Sequence, residues 1–357
     1  SYAFQNAGSA YATGAIDMQI VNWDSSRVTT MAHMFDGASN YRQYKPTFDT
    51  SNVTDMSYMF AGAASFKGPT AFTSTSKVTN MEGMFQGASS FVSENWNNDD
   101  NITRWDVSQV TNMSHMFEDA TSYNRRVQLW DVSKVRDMSS MFKGATTYNQ
   151  SLETWATSNV TDMSAMFQGA TAFNQNINAN GSRWDVSKVT TMADMFKGAK
   201  AFNGDVSRWD TGHVKDMSSM FDGAVNFNGN VPDWDTKSVT TMENMFKNAT
   251  AFNGDVGGWK TSKVLKFSSM FNGATSFNQD IGDWDTAVAT NMSKMFHGAS
   301  ALSQDLSGWN VAKVGNHTDF ATGSGLTTEQ LPRWNGTKTV TDQEATTPEA
   351  ITEPDTT

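Results

Sequence analysis

The chain repeats one pattern of apolar and polar positions with a period close to 25 residues. The pattern is clearest in residues 217–224, which read Met-Ser-Ser-Met-Phe-Asp-Gly-Ala. The Phe of this octet recurs at positions 35, 60, 85, 117, 142, 167, 196, 221, 246, 271 and 296, and most steps are 25 residues long. A fixed period of this length predicts a solenoid, in which each coil packs against its two neighbours.

The two halves of one unit, residues 202–226, carry different patterns. The second half spaces its apolar residues as one face of a short helix does, at Val214, Met217, Met220, Phe221, Ala224 and Phe227. Gly223 is typical of a helix end. The first half has turn residues around Val206 and predicts a short strand. The predicted fold is therefore an α/β solenoid of about 12–13 coils, with one short strand and one short helix per coil.

The pattern weakens towards both ends and divides the chain into four parts. We expect a ragged N-terminal coil at 1–17, the solenoid at 18–322, a capping coil at 323–335, and a Thr-, Glu- and Pro-rich tail or linker at 336–357. The tail has too few apolar side chains to offset the entropy of ordering it. Two polar insertions, at 93–101 and 178–181, are expected in loops on one edge.

Composition excludes several classes of site. The formal net charge of −11 argues against nucleic acid as a partner, because phosphates require clustered Lys and Arg. The chain has no cysteine, so disulfides and thiolate metal sites are excluded. No apolar run approaches the ~18 residues of a membrane span. No catalytic motif is present, and we expect no enzymatic activity.

Three kinds of repeated residue are predicted to build the fold. Tryptophan occupies one coil position, at 105, 130, 155, 184, 209, 234, 259, 284 and 309, where a core column is favoured over a carbohydrate-binding stripe. The methionines of the octets are predicted to fill the core. Asparagine follows an aromatic residue at 124, 149, 174, 203, 228, 253 and 278, which predicts a ladder of hydrogen bonds between coils.

Aspartate also recurs from coil to coil, both after tryptophan and near Val206. Rows of carboxylates could hold Ca²⁺, which takes six to eight oxygen ligands. A Gly-rich Asp loop of the calcium-binding type is absent from the sequence. We therefore expect these residues to cap turns. No cofactor is predicted, and Ca²⁺ stays as the less favoured alternative.

Side chains that vary between coils mark a candidate binding face. They lie just after the Asn row and just before the Trp row, at Arg104, Arg125, Gln150, Gln175, Arg183, Arg208, Asp233, Gln279 and Asp283. A scaffold that is constant inside and variable outside is typical of repeat proteins that bind a partner. Sequence drift at solvated positions would produce the same variation.

The repeat resembles that of the BspA-like leucine-rich-repeat surface proteins, also described as DUF285. The closest correspondence lies in residues 277–284 and 160–170, and the similarity extends over roughly 18–315. The resemblance implies a leucine-rich-repeat-like solenoid on secreted or cell-surface proteins. The roles that it implies are adhesion and cell contact.

Two functions from different classes follow from these features. The first is a non-enzymatic extracellular or cell-surface protein that binds a partner, a protein or glycan on another cell or in the matrix, through one solenoid face. The alternative is a structural subunit of a filament or coat, built when copies of the chain stack end to end. Capped ends favour the first function, and open complementary ends favour the second.

Overall fold

A computed structural model describes residues 24–42, 47–68, 71–92, 102–178 and 184–334, together with Gln5. The chain winds into stacked coils, as its period predicts. One residue of each coil forms a parallel β-bridge with the next coil, and eleven such bridges run from Thr30 to Asn316. The tail at 336–357, the insertion at 93–101 and, except for Gln5, the N-terminal part at 1–17 lie outside the described residues.

Regular secondary structure within the described ranges is short. Strand β1, Thr47–Phe48, pairs in parallel with strand β2, Ala71–Phe72, so that the two phenylalanines lie side by side. Two 3₁₀ helices, Ile102–Arg104 and Thr328–Gln330, complete the set. Each coil otherwise consists of turns and single bridge residues, and the short strand predicted around Val206 does not form. The bridges lie in the other half of the coil, at residues such as Asp216.

The predicted helix in each coil does not form in the described part of the chain. Backbone with positive φ occurs twice per octet, at Ser219 with φ of 53° and at Gly223 with φ of 71°. A right-handed helix cannot continue through such residues. Alternate backbone N–H groups therefore donate to carbonyls of the next coil instead of their own coil. The N–H of Phe221, for example, donates to the carbonyl of Met245 at 2.8 Å. Apolar steps of three fit a series of overlapping turns as well as a helix, which is why the pattern indicated the wrong element.

Parallel columns of aromatic rings form the core, and the tryptophan and methionine predictions are confirmed. Trp234 and Trp259 stack with centroids 6.1 Å apart and an interplanar angle of 1°. Phe221 stacks at 3.9 Å on Phe227, the first residue of the following unit, and at 5.6 Å on Phe246, the equivalent phenylalanine of the next octet. The octet methionines are almost completely buried. Rings such as Phe221 and Trp234 stack on rings of the coils before and after them, so their burial depends on stacking.

Apolar side chains cover the C-terminal end of the described stack. Leu326, Leu331 and Trp334 are buried. The ring of Trp334 lies edge-on to Phe320 at 5.1 Å and stacks on His317 at 4.1 Å. Because these residues lie over the last aromatic column, the core is not open to solvent at this end.

Candidate binding face

The predicted asparagine ladder is present and holds one edge of the solenoid in register. In each step the side-chain oxygen of one Asn accepts the backbone N–H of the Asn in the next coil, at 2.8 to 2.9 Å. The ladder runs through Asn124, Asn149, Asn174, Asn203, Asn228, Asn253 and Asn278. These bonds satisfy backbone donors that no β-sheet pairs, so the edge is rigid although it consists of turns.

Three glutamines of the predicted binding face belong to this ladder. The side-chain nitrogen of Gln175 donates to the side-chain oxygen of Asn149 at 2.8 Å. Gln150 and Gln279 make the same bond to the Asn of their preceding coils, at 2.9 and 3.0 Å. All three glutamines are half-buried. Their amides stabilise the edge of the solenoid, which the sequence alone did not indicate.

The charged residues of the predicted face project from this rigid edge. The exposed ones are Arg104, Arg125, Arg208, Asp233 and Asp283, and we call this set the ladder face. Arg183 lies outside the described residues. Arg104, Arg208, Asp233 and Asp283 each precede the tryptophan of their coil, and therefore occupy one coil position at different heights along the stack.

A groove of about 460 Å³ opens on the same side. Its lining includes Arg125 and Gln150 beside the ladder and Leu129 before Trp130, so the two predicted rows of variable residues share one side of the solenoid. Arg126 and Gln128 also line the groove, and neither was among the residues selected from the sequence. The one sign of this groove in the sequence was Leu129, an apolar residue at a coil position where most other coils carry a polar residue.

The recurrent aspartates cap turns, as expected. The carboxylate of Asp205 accepts the N–H of Ser207 at 2.9 Å, and Asp255 and Asp280 make the same contact two residues on. Burial would raise the pKa of Asp205, but hydrogen bonds from Ser207 and Asn178 outweigh it and lower that pKa. Among the residues described, no group of three or more His, Cys, Asp or Glu side chains could hold a metal ion.

A buried carboxylate lies on the octet side of the coils. Glu118 is 6% exposed and accepts hydrogen bonds from Lys143 at 2.8 Å, from His115 at 2.6 Å and from Gln86 at 2.6 Å. Burial would raise the pKa of Glu118, but these three donors outweigh it and lower that pKa. The partners come from three successive coils, so this cluster joins coils and offers no open site.

These features define a solenoid repeat protein with a constant interior and charged side chains along one rigid edge. The chain belongs to the family described as "Mycoplasma protein of unknown function, DUF285", whose model matches residues 1–99, 92–182, 177–274 and 254–351. The family resemblance seen in the repeat motif is therefore confirmed. No curated protein matches the chain.

Two solved structures of receptors are distantly similar. The Toll–Spatzle complex of Drosophila has a TM-score of 0.26 and 11% sequence identity, with 85% of this chain and 42% of that chain covered. The TLR13–ssRNA13 complex has a TM-score of 0.21 and 8% identity, with 76% of this chain and 49% of that chain covered. The matches thus span less than half of each receptor chain. Similarity at this level carries no weight for the partners of this protein.

Within the described ranges, no helix has the length and apolar character needed to span a bilayer.

Proposed function

We propose that this chain is a non-enzymatic repeat protein of the cell surface or the extracellular space. It binds a protein or glycan on another cell or in the matrix through the ladder face. The solenoid supplies a rigid support, and the charges that change from coil to coil supply specificity. Adhesion or cell contact is the role that this binding would serve.

The observation that carries the proposal is a group of three charged side chains on the ladder face that form no ion pair with a described residue. The side chains of Arg208, Asp233 and Asp283 are exposed, and none makes an ion pair or a hydrogen bond with another described residue. Exposed charges of this kind contribute little to stability. Held on a rigid edge, they lose little entropy when a partner of complementary charge binds.

The covered C-terminal end favours binding by the side over end-to-end stacking. Leu331 and Trp334 are each 3% exposed, so the last aromatic column offers no open apolar surface there. A subunit that polymerises through its ends would leave such a surface uncovered. At this end, the side of the solenoid is the surface that stays available.

The experiment is a binding assay of the labelled chain on cells and on immobilised matrix proteins, with two matched double variants. Arg208→Gln with Asp233→Asn removes one charge of each sign from the ladder face. Lys263→Gln with Asp285→Asn makes the same change at exposed positions elsewhere on the coil. Asn310 shows that Asn can cap the turn at the position of Asp285, since its side chain accepts the N–H of Ala312 at 3.2 Å.

We expect binding to fall at least about tenfold in the ladder-face variant, which corresponds to ~1.4 kcal/mol. Binding by the control variant should equal that of the parent chain. Equal losses in both variants, or a loss only in the control, would place the binding surface elsewhere and contradict the proposal.

A further inference from the structure

We propose that the groove beside Arg125 is an anchoring site for an acidic peptide segment of the partner. A Glu or Asp carboxylate binds Arg125 and Arg126, a peptide N–H donates to Gln128, and an aliphatic neighbour packs on Leu129. The inference rests on the proposed function and specifies the chemistry of its partner. Four features of the groove support it.

The first feature is a pair of adjacent arginines that form no ion pair with a carboxylate of the described residues. Arg125 donates through Nε to the carbonyl of Val92 at 2.8 Å, its only hydrogen bond to the described chain. Arg126 has neither a hydrogen bond nor an ion pair with any described residue. Both side chains line the groove. Two neighbouring guanidinium groups repel each other, and a carboxylate between them would relieve the repulsion through charge-assisted hydrogen bonds.

The second feature is an acceptor without a donor. The side-chain oxygen Oε1 of Gln128 is buried and has no hydrogen-bond partner among the described residues, although Gln128 lines the groove. A buried acceptor without a donor is unfavourable. If the Gln128 amide turns towards the groove, a ligand that carries an N–H next to its carboxylate satisfies the acceptor. The backbone of a peptide provides that arrangement at every residue.

The third feature is a large apolar side chain in water. Leu129 is 79% exposed, and it is one of two large hydrophobic residues that the described chain exposes. It borders the groove that contains the arginines. An aliphatic side chain of the ligand would bury this surface. A carboxylate beside an aliphatic group is the chemistry of a peptide that contains Glu or Asp next to Leu, Ile or Val.

The fourth feature is the distribution of charge along the solenoid. Further along the same side, the corresponding coil positions hold Asp205 in the row of Arg126, and Asp233 and Asp283 in the row of Leu129. These carboxylates repel an acidic ligand. Arg104 and Arg208 share the row of Leu129, but the groove holds two adjacent arginines and therefore attracts such a ligand more strongly. An acidic sugar would also meet the arginines, but no aromatic ring lines the groove in the described part of the chain to stack on a sugar.

Fluorescence anisotropy with a labelled peptide tests the inference. The probe is Gly-Ser-Glu-Leu-Glu-Ser-Gly, and its counterpart carries Gln in place of both Glu. We expect the acidic peptide to bind the parent chain, with an affinity that falls as salt rises. The Gln peptide should bind at least about tenfold more weakly, as expected when a charged hydrogen bond is lost.

Variants of the protein locate the site. Arg125→Gln with Arg126→Gln should lower peptide affinity at least about tenfold, and Leu129→Ser should lower it by a smaller factor. Lys263→Gln, an exposed cation outside the ladder face, should leave peptide affinity unchanged. All substituted residues are exposed, so the melting temperature of each variant should match that of the parent and exclude misfolding as the cause.

Three results would overturn the inference: no peptide binding, peptide binding that the double arginine variant retains, or binding of a tetragalacturonate probe in place of the peptide. The proposed function has a separate outcome. If cell binding is lost with Arg208→Gln and Asp233→Asn but kept when both groove arginines are replaced, the ladder face is the binding surface and the groove is not its anchor.

Discussion

The side-chain oxygen of Asn228 accepts the backbone N–H of Asn253, one coil further along the chain, at 2.8 Å. Asn203 makes the same bond to Asn228 at 2.9 Å. Each Asn is thus the acceptor for the next coil and the donor to the previous one. This relay keeps the edge in register while the residues beside it vary, and it explains how a constant frame carries a variable face.

Replacement of one ladder residue should weaken the stack. Asn228→Ala leaves the N–H of Asn253 without its acceptor, and we expect the free energy of unfolding to fall by about 1–2 kcal/mol. Urea unfolding measures this change. Asn226→Ala is the matched control, because Asn226 is exposed and makes no hydrogen bond to a described residue. Equal losses in the two variants would show that the ladder contributes nothing of its own.

The octet positions with positive φ should tolerate some side chains and be destabilised by others. Ser269 has φ of 53°, a conformation that glycine adopts freely and β-branched residues resist. We expect Ser269→Val to lower the free energy of unfolding by ~1–2 kcal/mol and Ser269→Gly to have little effect. Ser276→Val in a neighbouring turn should be tolerated, since Thr147 is β-branched at the same coil position. Thermal unfolding of the three variants measures these effects. If the protein tolerates Val at position 269, the positive φ of Ser269 is contradicted.

The buried carboxylate of Glu118 should make the free energy of unfolding depend on pH. The pKa of Glu118 is lowered in the folded chain, so its stabilising contribution is complete above the usual Glu pKa of about 4.3 and is lost as the pH falls through the folded value. Glu118→Gln should therefore destabilise the protein at neutral pH by about 1–3 kcal/mol and flatten the decline in stability below pH ~4.

Unfolding by urea at a series of pH values measures this dependence. Glu153→Gln is the control, because Glu153 is exposed and its carboxylate has no ion pair within the described ranges. If both variants keep the pH dependence of the parent chain, Glu118 is not the group that links stability to acid.

The stacking of the coils could be predicted because the same residue types recur at a fixed spacing along the sequence. A Trp or an Asn repeated every 25 residues has one neighbour of its own kind in each adjacent coil, so the Trp234–Trp259 stack and the Asn228–Asn253 bond follow directly. The helix prediction was wrong because inward positions three residues apart arise in successive turns as well. What distinguishes the two is the φ of residues such as Ser219, and Ser does not reveal a positive φ in a sequence.

The candidate site was predictable only in outline. Variation between coils selected two rows that lie on one side of the solenoid. It could not separate Gln175, whose side chain is bonded to Asn149, from Arg208, whose side chain is exposed without such a bond. The groove joins residues of three coils, and its orphan acceptor on Gln128 depends on side-chain positions. Contacts of this kind between particular side chains do not recur from coil to coil, so the repeat pattern cannot predict them.

The central claim is that the chain acts through its side and not through its ends, and light scattering after size exclusion tests it most directly. We predict that the parent chain has the mass of one chain across a wide range of concentrations. Trp334→Asp uncovers the last aromatic column and should raise the average mass, whereas Arg333→Asp, the same replacement at an exposed neighbour, should not. A parent chain whose mass grows with concentration into end-to-end chains would contradict the account and support a structural subunit.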